Sequence, residues 1–162
     1  TPGQMLARLL GLARLFPHSR AFAGYTYGDL SESATHRIDS ASGSFLFFRR
    51  ELLEKVGEFD ERFFMYAEDL DWCRRARQKG FGIYYFPGTS VVHLQGAGSR
   101  QRALKSLWHL HYTAFLYIRK HHCSDYSFAL RMILAVALAM HFTFAVALTL
   151  MARLFTRAAK QK

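Results

Sequence analysis

The sequence predicts an α/β domain over residues 1–100, followed by a helical, membrane-inserted tail over residues 101–162. Three observations predict this. Short segments of strand and helix periodicity alternate as far as Ser99, with Gly and Pro turns between them. Met132 to Met151 then runs for 20 residues without a formal charge. The charge divides at the same place: residues 1–99 hold 12 Lys+Arg against 11 Asp+Glu, net +1, whereas residues 100–162 hold 10 Lys+Arg against Asp125 alone, net +9. With 51% hydrophobic and 15% aromatic residues, the 162-residue chain can bury a core and is no disordered segment.

The elements follow in order. "QMLARLLGLARLF", residues 4–16, reads as a short helix apolar on all sides, stopped by Pro17. Residues 17–35 are rich in Gly, Ser and Thr and read as a loop. "HRIDSASGSFLFFRR" reads as extended chain, with Phe45 to Phe48 a short buried strand. "RRELLEKVG" is a brief helix closed by Gly57. An aromatic-rich loop, "EFDERFFMYA", leads to a helix from Glu68 to Lys79 that Gly80 ends. "FGIYYF" and "TSVVHL" are two short strands separated by the Pro87-Gly88 turn. Residues 101–122 form a basic, aromatic, amphipathic helix suited to a membrane surface. As a helix, Met132–Met151 reaches about 30 Å, the thickness of a bilayer's hydrocarbon core. Arg131 and Arg153 bracket it, so the orientation stays open, and His141 at mid-span suits a helix–helix contact. Thr1 rather than Met, with no leader visible, suggests a piece whose N-terminal part is absent.

Cys73 and Cys123 lie far apart in no metal or redox spacing, which reads as two reduced thiols. A basic domain suggests nucleic acid, but here the positive charge surrounds an apolar helix, which suggests a membrane surface and no nucleic acid.

The cluster in "MYAEDLDWCRRARQKG" carries the chemistry. At about 100° per residue, Asp69 shares a face with Trp72, Cys73 and Ala76, whereas Glu68, Asp71, Arg75 and Lys79 share the polar side. Acids in the first turn and bases toward the end complement the helix dipole, which accounts for Glu68 and Asp71. The spacing also allows Asp71 to pair with Arg75 in solvent. It does not account for Asp69, because an unpaired carboxylate on an inward face is costly and such a group usually has a partner or a task. Asp69 and Asp71 cannot share an ion, since positions i and i+2 point about 200° apart. His93 ends a strand before a Gly-rich turn and can reach a ligand or metal, or be a plain surface histidine. Gly96 and Gly98 alone are a weak phosphate-loop signal.

Taken together, Ser42 to Ser99 resembles the C-terminal half of the catalytic domain of family 2 glycosyltransferases, most of all the bacterial rhamnosyltransferase-like branch that builds cell-surface polysaccharides. The matching residues are Ser42-Gly43 before a hydrophobic run, Arg49-Arg50, Gly57-x-Phe59-Asp60-Glu61, Phe63-Phe64-x-Tyr66 and Glu68-Asp69-x-Asp71. Arg74, Gly80, Tyr84-Tyr85, Pro87, Val92-His93 and Gly96 follow in order. The resemblance implies a GT-A fold, an α/β/α sandwich around a mainly parallel sheet. It implies inverting transfer from a nucleotide-diphosphate sugar to a glycan or lipid-linked acceptor, usually with Mg²⁺ or Mn²⁺, at the cytoplasmic face of the bacterial inner membrane. It makes Asp69 the catalytic base and His93 a contact to the metal or diphosphate. Gly43, Phe64, Tyr66 and Glu68 then lie by the acceptor.

The family's nucleotide-binding half, with its own Asp-x-Asp motif, has no counterpart in residues 1–41, so the chain alone is expected to be inactive. The alternatives are a non-catalytic membrane-associated scaffold of the same fold and a basic nucleic-acid-binding domain. The near-neutral first 99 residues disfavour the latter.

Overall fold

A glycine divides the first predicted helix. Residues 4–16 form α1 (Pro2–Leu9) and α2 (Leu12–Leu15), because Gly11 between them takes φ +76° and turns the chain. The structure, a computed structural model, describes residues 2–24, 27, 30–94 and 102–160. It divides into two units, Thr1–Gln95 and Gly96–Lys162. Gly96 and Gly98 lie outside the described residues.

In the first unit the loop expected over residues 17–35 contains a further turn of helix, α3 (Arg20–Ala23), tied to α1 where the Gln4 amide donates to the Arg20 carbonyl. Strand β1 (His36–Ile38) pairs antiparallel with β2 (Ile83–Tyr85), with His36 opposite Tyr85 and Ile38 opposite Ile83. This two-stranded antiparallel sheet is the described β-structure, in place of the mainly parallel sheet implied above.

Two predicted strands do not form. Phe45–Phe48 carries no ladder: Phe45 stands in a bend, its N–H donating to the Ser42 carbonyl, and Phe45 and Phe47 are 51% and 93% exposed. Val91–Leu94 is likewise exposed and has no strand partner among the described residues. Exposure still alternates along Phe45–Phe48, as the strand pattern demands, but a strand also needs a neighbour, and none lies beside it among the described residues.

The core of the unit forms between α4 (Arg50–Val56) and α5 (Glu68–Gln78). Gly57 closes α4 at φ +81°, its N–H donating to the Leu53 carbonyl. Trp72, buried on α5, packs against the rings of Phe48 and Phe59 at 4.6 and 5.8 Å, and its indole N–H donates to the Gly57 carbonyl at 2.9 Å. Phe63, Cys73 and Ala76 complete this core.

One aspartate departs from the helical-wheel expectation. Asp71 is fully buried and accepts from Arg75 Nε at 2.9 Å. The same guanidinium donates to the Val56 and Glu58 carbonyls, both at 2.7 Å. The end of α4 and the turn after it cover the side of α5 that the wheel assigns to solvent, so the carboxylate enters the interior together with its cation.

The second unit is an antiparallel helical hairpin of α6 (Ala103–His122) and α7 (Phe128–Lys160). The pairing runs from Cys123 with Arg131, next to the turn, through His111 with His141, to Trp108 with Phe142. His141 thus meets the neighbouring helix, its Nδ1 lying 2.8 Å from His111 Nε2. Because His111 Nδ1 lies 2.8 Å from the Leu107 carbonyl, which only accepts, that nitrogen carries a proton. In the neutral ring Nε2 is then bare, and His141 Nδ1–H is the donor between the rings. Within α7, Phe128–Thr156 is long and apolar enough to cross a membrane.

Candidate active site

The site forms where the segment Ala41–Ser44 crosses the first turn of α5. Two successive residues, Tyr66 and Ala67, take left-handed backbone at φ +68° and +61° and turn the aromatic loop abruptly into the helix. A non-glycine residue held there costs about 1 kcal/mol or more, so tertiary packing must hold the turn. Ala67 is buried and Phe63, three residues before Tyr66, is core, which supplies that packing.

No side chain caps the start of α5 at Ala67. Asp69 instead satisfies two nearby donors. Its Oδ1 accepts the Leu70 N–H and its Oδ2 accepts the Gly43 N–H, each at 2.8 Å. Asp69 therefore lies half-buried against Gly43 rather than among the apolar residues of the α4–α5 core. One turn further on, Cys73 meets the backbone of Ala41, and burial above all pushes its thiol pKa up. The crossing segment thus bears on α5 at two successive turns.

Glu68 completes the cluster. A Cβ placed on Gly43 would lie 3.5 Å from Asp69 Cβ and 3.7 Å from Glu68 Oε1, so both carboxylates flank that glycine. Glu68 Oε2 is shut off from solvent and has no hydrogen-bond partner. Burial, and secondarily the neighbouring Asp69 charge, raise the Glu68 pKa, against the opposing effect of its own backbone N–H.

Gly43, Glu68 and Asp69 are therefore brought together. Tyr66 stands at the turn that delivers them, and Phe64 projects outward at 72% exposure. His93 lies exposed in the extended chain beyond β2. No group of three His, Cys, Asp or Glu side chains suited to a metal occurs among the described residues. His93 together with an Asp69 already engaged by two N–H groups does not fit a Mg²⁺ or Mn²⁺ centre. What sequence reasoning missed is the orphaned oxygen of Glu68. The wheel puts Glu68 on the polar side, and only the Tyr66–Ala67 turn folds it under the crossing segment.

Residues 16–112 match the family described as glycosyltransferase like family 2, and the chain belongs to that family. It is similar to the rhamnosyltransferase WbbL of Escherichia coli, 33% identical over 92 residues, covering 56% of this chain and 35% of that protein. It is also similar to the N-acetylglucosaminyl-diphospho-decaprenol L-rhamnosyltransferase of Mycobacterium tuberculosis, 31% identical over 109 residues, covering 67% of this chain and 36% of that protein. A third relative, the low-salt glycan biosynthesis hexosyltransferase Agl10 of Haloferax volcanii, is 33% identical over 58 residues, 36% of this chain and 19% of that protein. The chain spans about a third of the length of the two rhamnosyltransferases. No solved structure matches it. The family implies a GT-A nucleotide-sugar transferase fold.

Proposed function

We propose that this chain forms the acceptor-binding and catalytic part of an inverting glycosyltransferase that moves a sugar from a nucleotide-diphosphate donor to a glycan or lipid-linked acceptor. The Gly43 N–H to Asp69 Oδ2 hydrogen bond carries the reading, because it fixes the carboxylate that corresponds to the family's base beside the Ser42–Ser44 turn. In this reading the acceptor hydroxyl oxygen attacks the anomeric carbon while Asp69 takes its proton. The bond from that carbon to the diphosphate breaks, and its electron pair leaves with the diphosphate. Inversion needs no second carboxylate as acid, because the diphosphate leaves as an anion. Gly43, Phe64, Tyr66 and Glu68 flank the acceptor, with the exposed Phe64 ring a surface for a sugar face. His93 is the candidate contact to the donor diphosphate or to a Mg²⁺ or Mn²⁺ ion whose main ligands come from a donor-binding half outside this chain. Without that half the chain is inactive.

The decaprenol-linked acceptor in the name of the mycobacterial relative supports a lipid-linked acceptor here. The apolar helix supports a place at the cytoplasmic face of the bacterial inner membrane. In the enzyme completed by its donor half, Asp69→Asn should lower kcat by about two to four orders of magnitude, with donor binding retained. Near-parental transfer would remove Asp69 as base. The chain expressed in cells should remain in the membrane pellet through a carbonate wash, and its release would rule out a span.

A further inference from the structure

α6 and α7 run side by side for most of the length of α6. Contacts follow one another from Cys123 with Arg131, through His111 with His141, to Trp108 with Phe142, about 22 Å along α6. A helix lying in a membrane surface and a helix crossing the bilayer meet only where they cross, over a turn or two. The two helices therefore share one depth, and a span at Phe128–Thr156 draws α6 in with it. The polar groups agree. His141 stands in the middle of the uncharged residues 132–152, where lipid offers a ring nitrogen no partner, and His111 of α6 supplies one at 2.8 Å. Thr113 is fully buried, and its hydroxyl donates to the His109 carbonyl of its own helix.

The charges decide whether the pair crosses the bilayer or lies flat. A helix lying in the interface needs a charged face along its length. Here the charges collect at the ends instead. Residues 106–118 of α6 and 132–152 of α7 carry none. Arg119, Lys120 and Arg131 lie toward the turn, with Asp125 in it, and Arg102, Lys105 and Arg153 lie toward the other end. Between Lys105 and Arg119, the exposed side of α6 presents Trp108, Tyr112 and Phe115 at helical spacing. The uncharged part of α6 reaches about 20 Å, and the long Lys105 and Arg119 side chains extend toward the headgroups at either end.

We propose that α6 is a second transmembrane helix, so that the hairpin crosses the bilayer twice with its outer aromatic face against lipid acyl chains. This rests on the membrane placement of α7 proposed above and adds the depth of α6 and the orientation of the pair. Of the 10 Lys+Arg after residue 99, Arg119, Lys120 and Arg131 lie at the turn, and the other seven fall before residue 106 or after residue 152. Basic residues beside membrane spans collect on the cytoplasmic side. The open end of the hairpin is therefore cytoplasmic, in accord with the cytoplasmic reaction proposed above, and the turn at residues 123–127 faces the opposite side.

The test labels the full chain in spheroplasts with a membrane-impermeant maleimide. Cys123 is exposed at the turn and Cys73 is buried, so the chain carries its own probe. Cys123 should label before lysis, and Cys123→Ser should abolish that label. In a Cys73→Ser, Cys123→Ser background, Gln101→Cys and Gln161→Cys, introduced singly, should label only after lysis; neither alters the charge. Outside labelling at Gln161→Cys, with Cys123 and Gln101→Cys protected, means that α7 crosses alone and overturns the proposal while keeping the span. Outside labelling at both Gln101→Cys and Cys123 means that α6 does not cross and overturns it too. So does protection of all three positions in a chain that stays in the carbonate-washed pellet. Release of the chain by carbonate would instead sink the span itself.

Discussion

The two flanks of α5 hold aspartates two residues apart and treat them in opposite ways. On the α4 flank, Asp71 is buried with its own cation, and the Arg75 guanidinium also satisfies the carbonyls of Val56 and Glu58. On the Ala41–Ser44 flank, Asp69 is half-buried, meets backbone N–H groups in place of a side-chain cation, and has an orphaned acid beside it. The first arrangement is closed, because the buried carboxylate meets a guanidinium that backbone carbonyls hold in place. The second is left open toward the glycine it flanks. Proximity to the helix start therefore does not determine what a carboxylate is for; the matching of its partners does.

Breaking the closed flank should give the largest effect on stability. Asp71→Asn takes the buried counter-charge away from the half-buried Arg75 guanidinium and should cost about 3 kcal/mol, read by denaturant unfolding. Asp69→Asn, whose effect is on turnover, should cost well under half of that. Equal losses in the two variants would erase the distinction between the flanks. A smaller effect should come from crowding the open flank. Gly43→Ala sets a methyl at ordinary contact distance from Asp69 and Glu68, so the chain still folds, but the acceptor side narrows and transfer should fall by about tenfold in the completed enzyme.

The smallest effect is a slope. Because burial raises the Glu68 pKa in the fold, its contribution to stability is full at low pH and is lost as pH climbs through the folded pKa. Glu68→Gln should therefore match the parent's Tm at about pH 4 and exceed it slightly at about pH 8.

The closed flank was half legible. The i,i+4 spacing of Asp71 and Arg75, the Gly57 stop and the bounds of α5 all follow from local chemistry, and local chemistry is what sequence reports. The depth of Asp71 was not legible, since a helical wheel assumes one buried face and α5 has two. On the open flank the resemblance pointed to Gly43 and Asp69, but the contact between them spans 26 positions and rests on a turn of two left-handed non-glycine residues, for which Met65-Tyr66-Ala67 gives no cue. The apolar character of α7 was plain. Its antiparallel pairing with α6 through His111 and His141 is a long-range choice that neither helix's periodicity specifies.

The unpaired segment Phe45–Phe48 has a practical consequence. Beyond Phe45, whose N–H is taken by the Ser42 carbonyl, the segment has no strand beside it among the described residues and carries a 93% exposed Phe47 ring, with Arg49 and Arg50 as the first charges after it. A bare extended edge of that kind recruits another strand from any chain that presents one. Purified away from a partner strand, this polypeptide is an aggregation seed whose gatekeepers stand on one side only. A charge introduced at Phe47 is then the change that keeps it in solution for every measurement above.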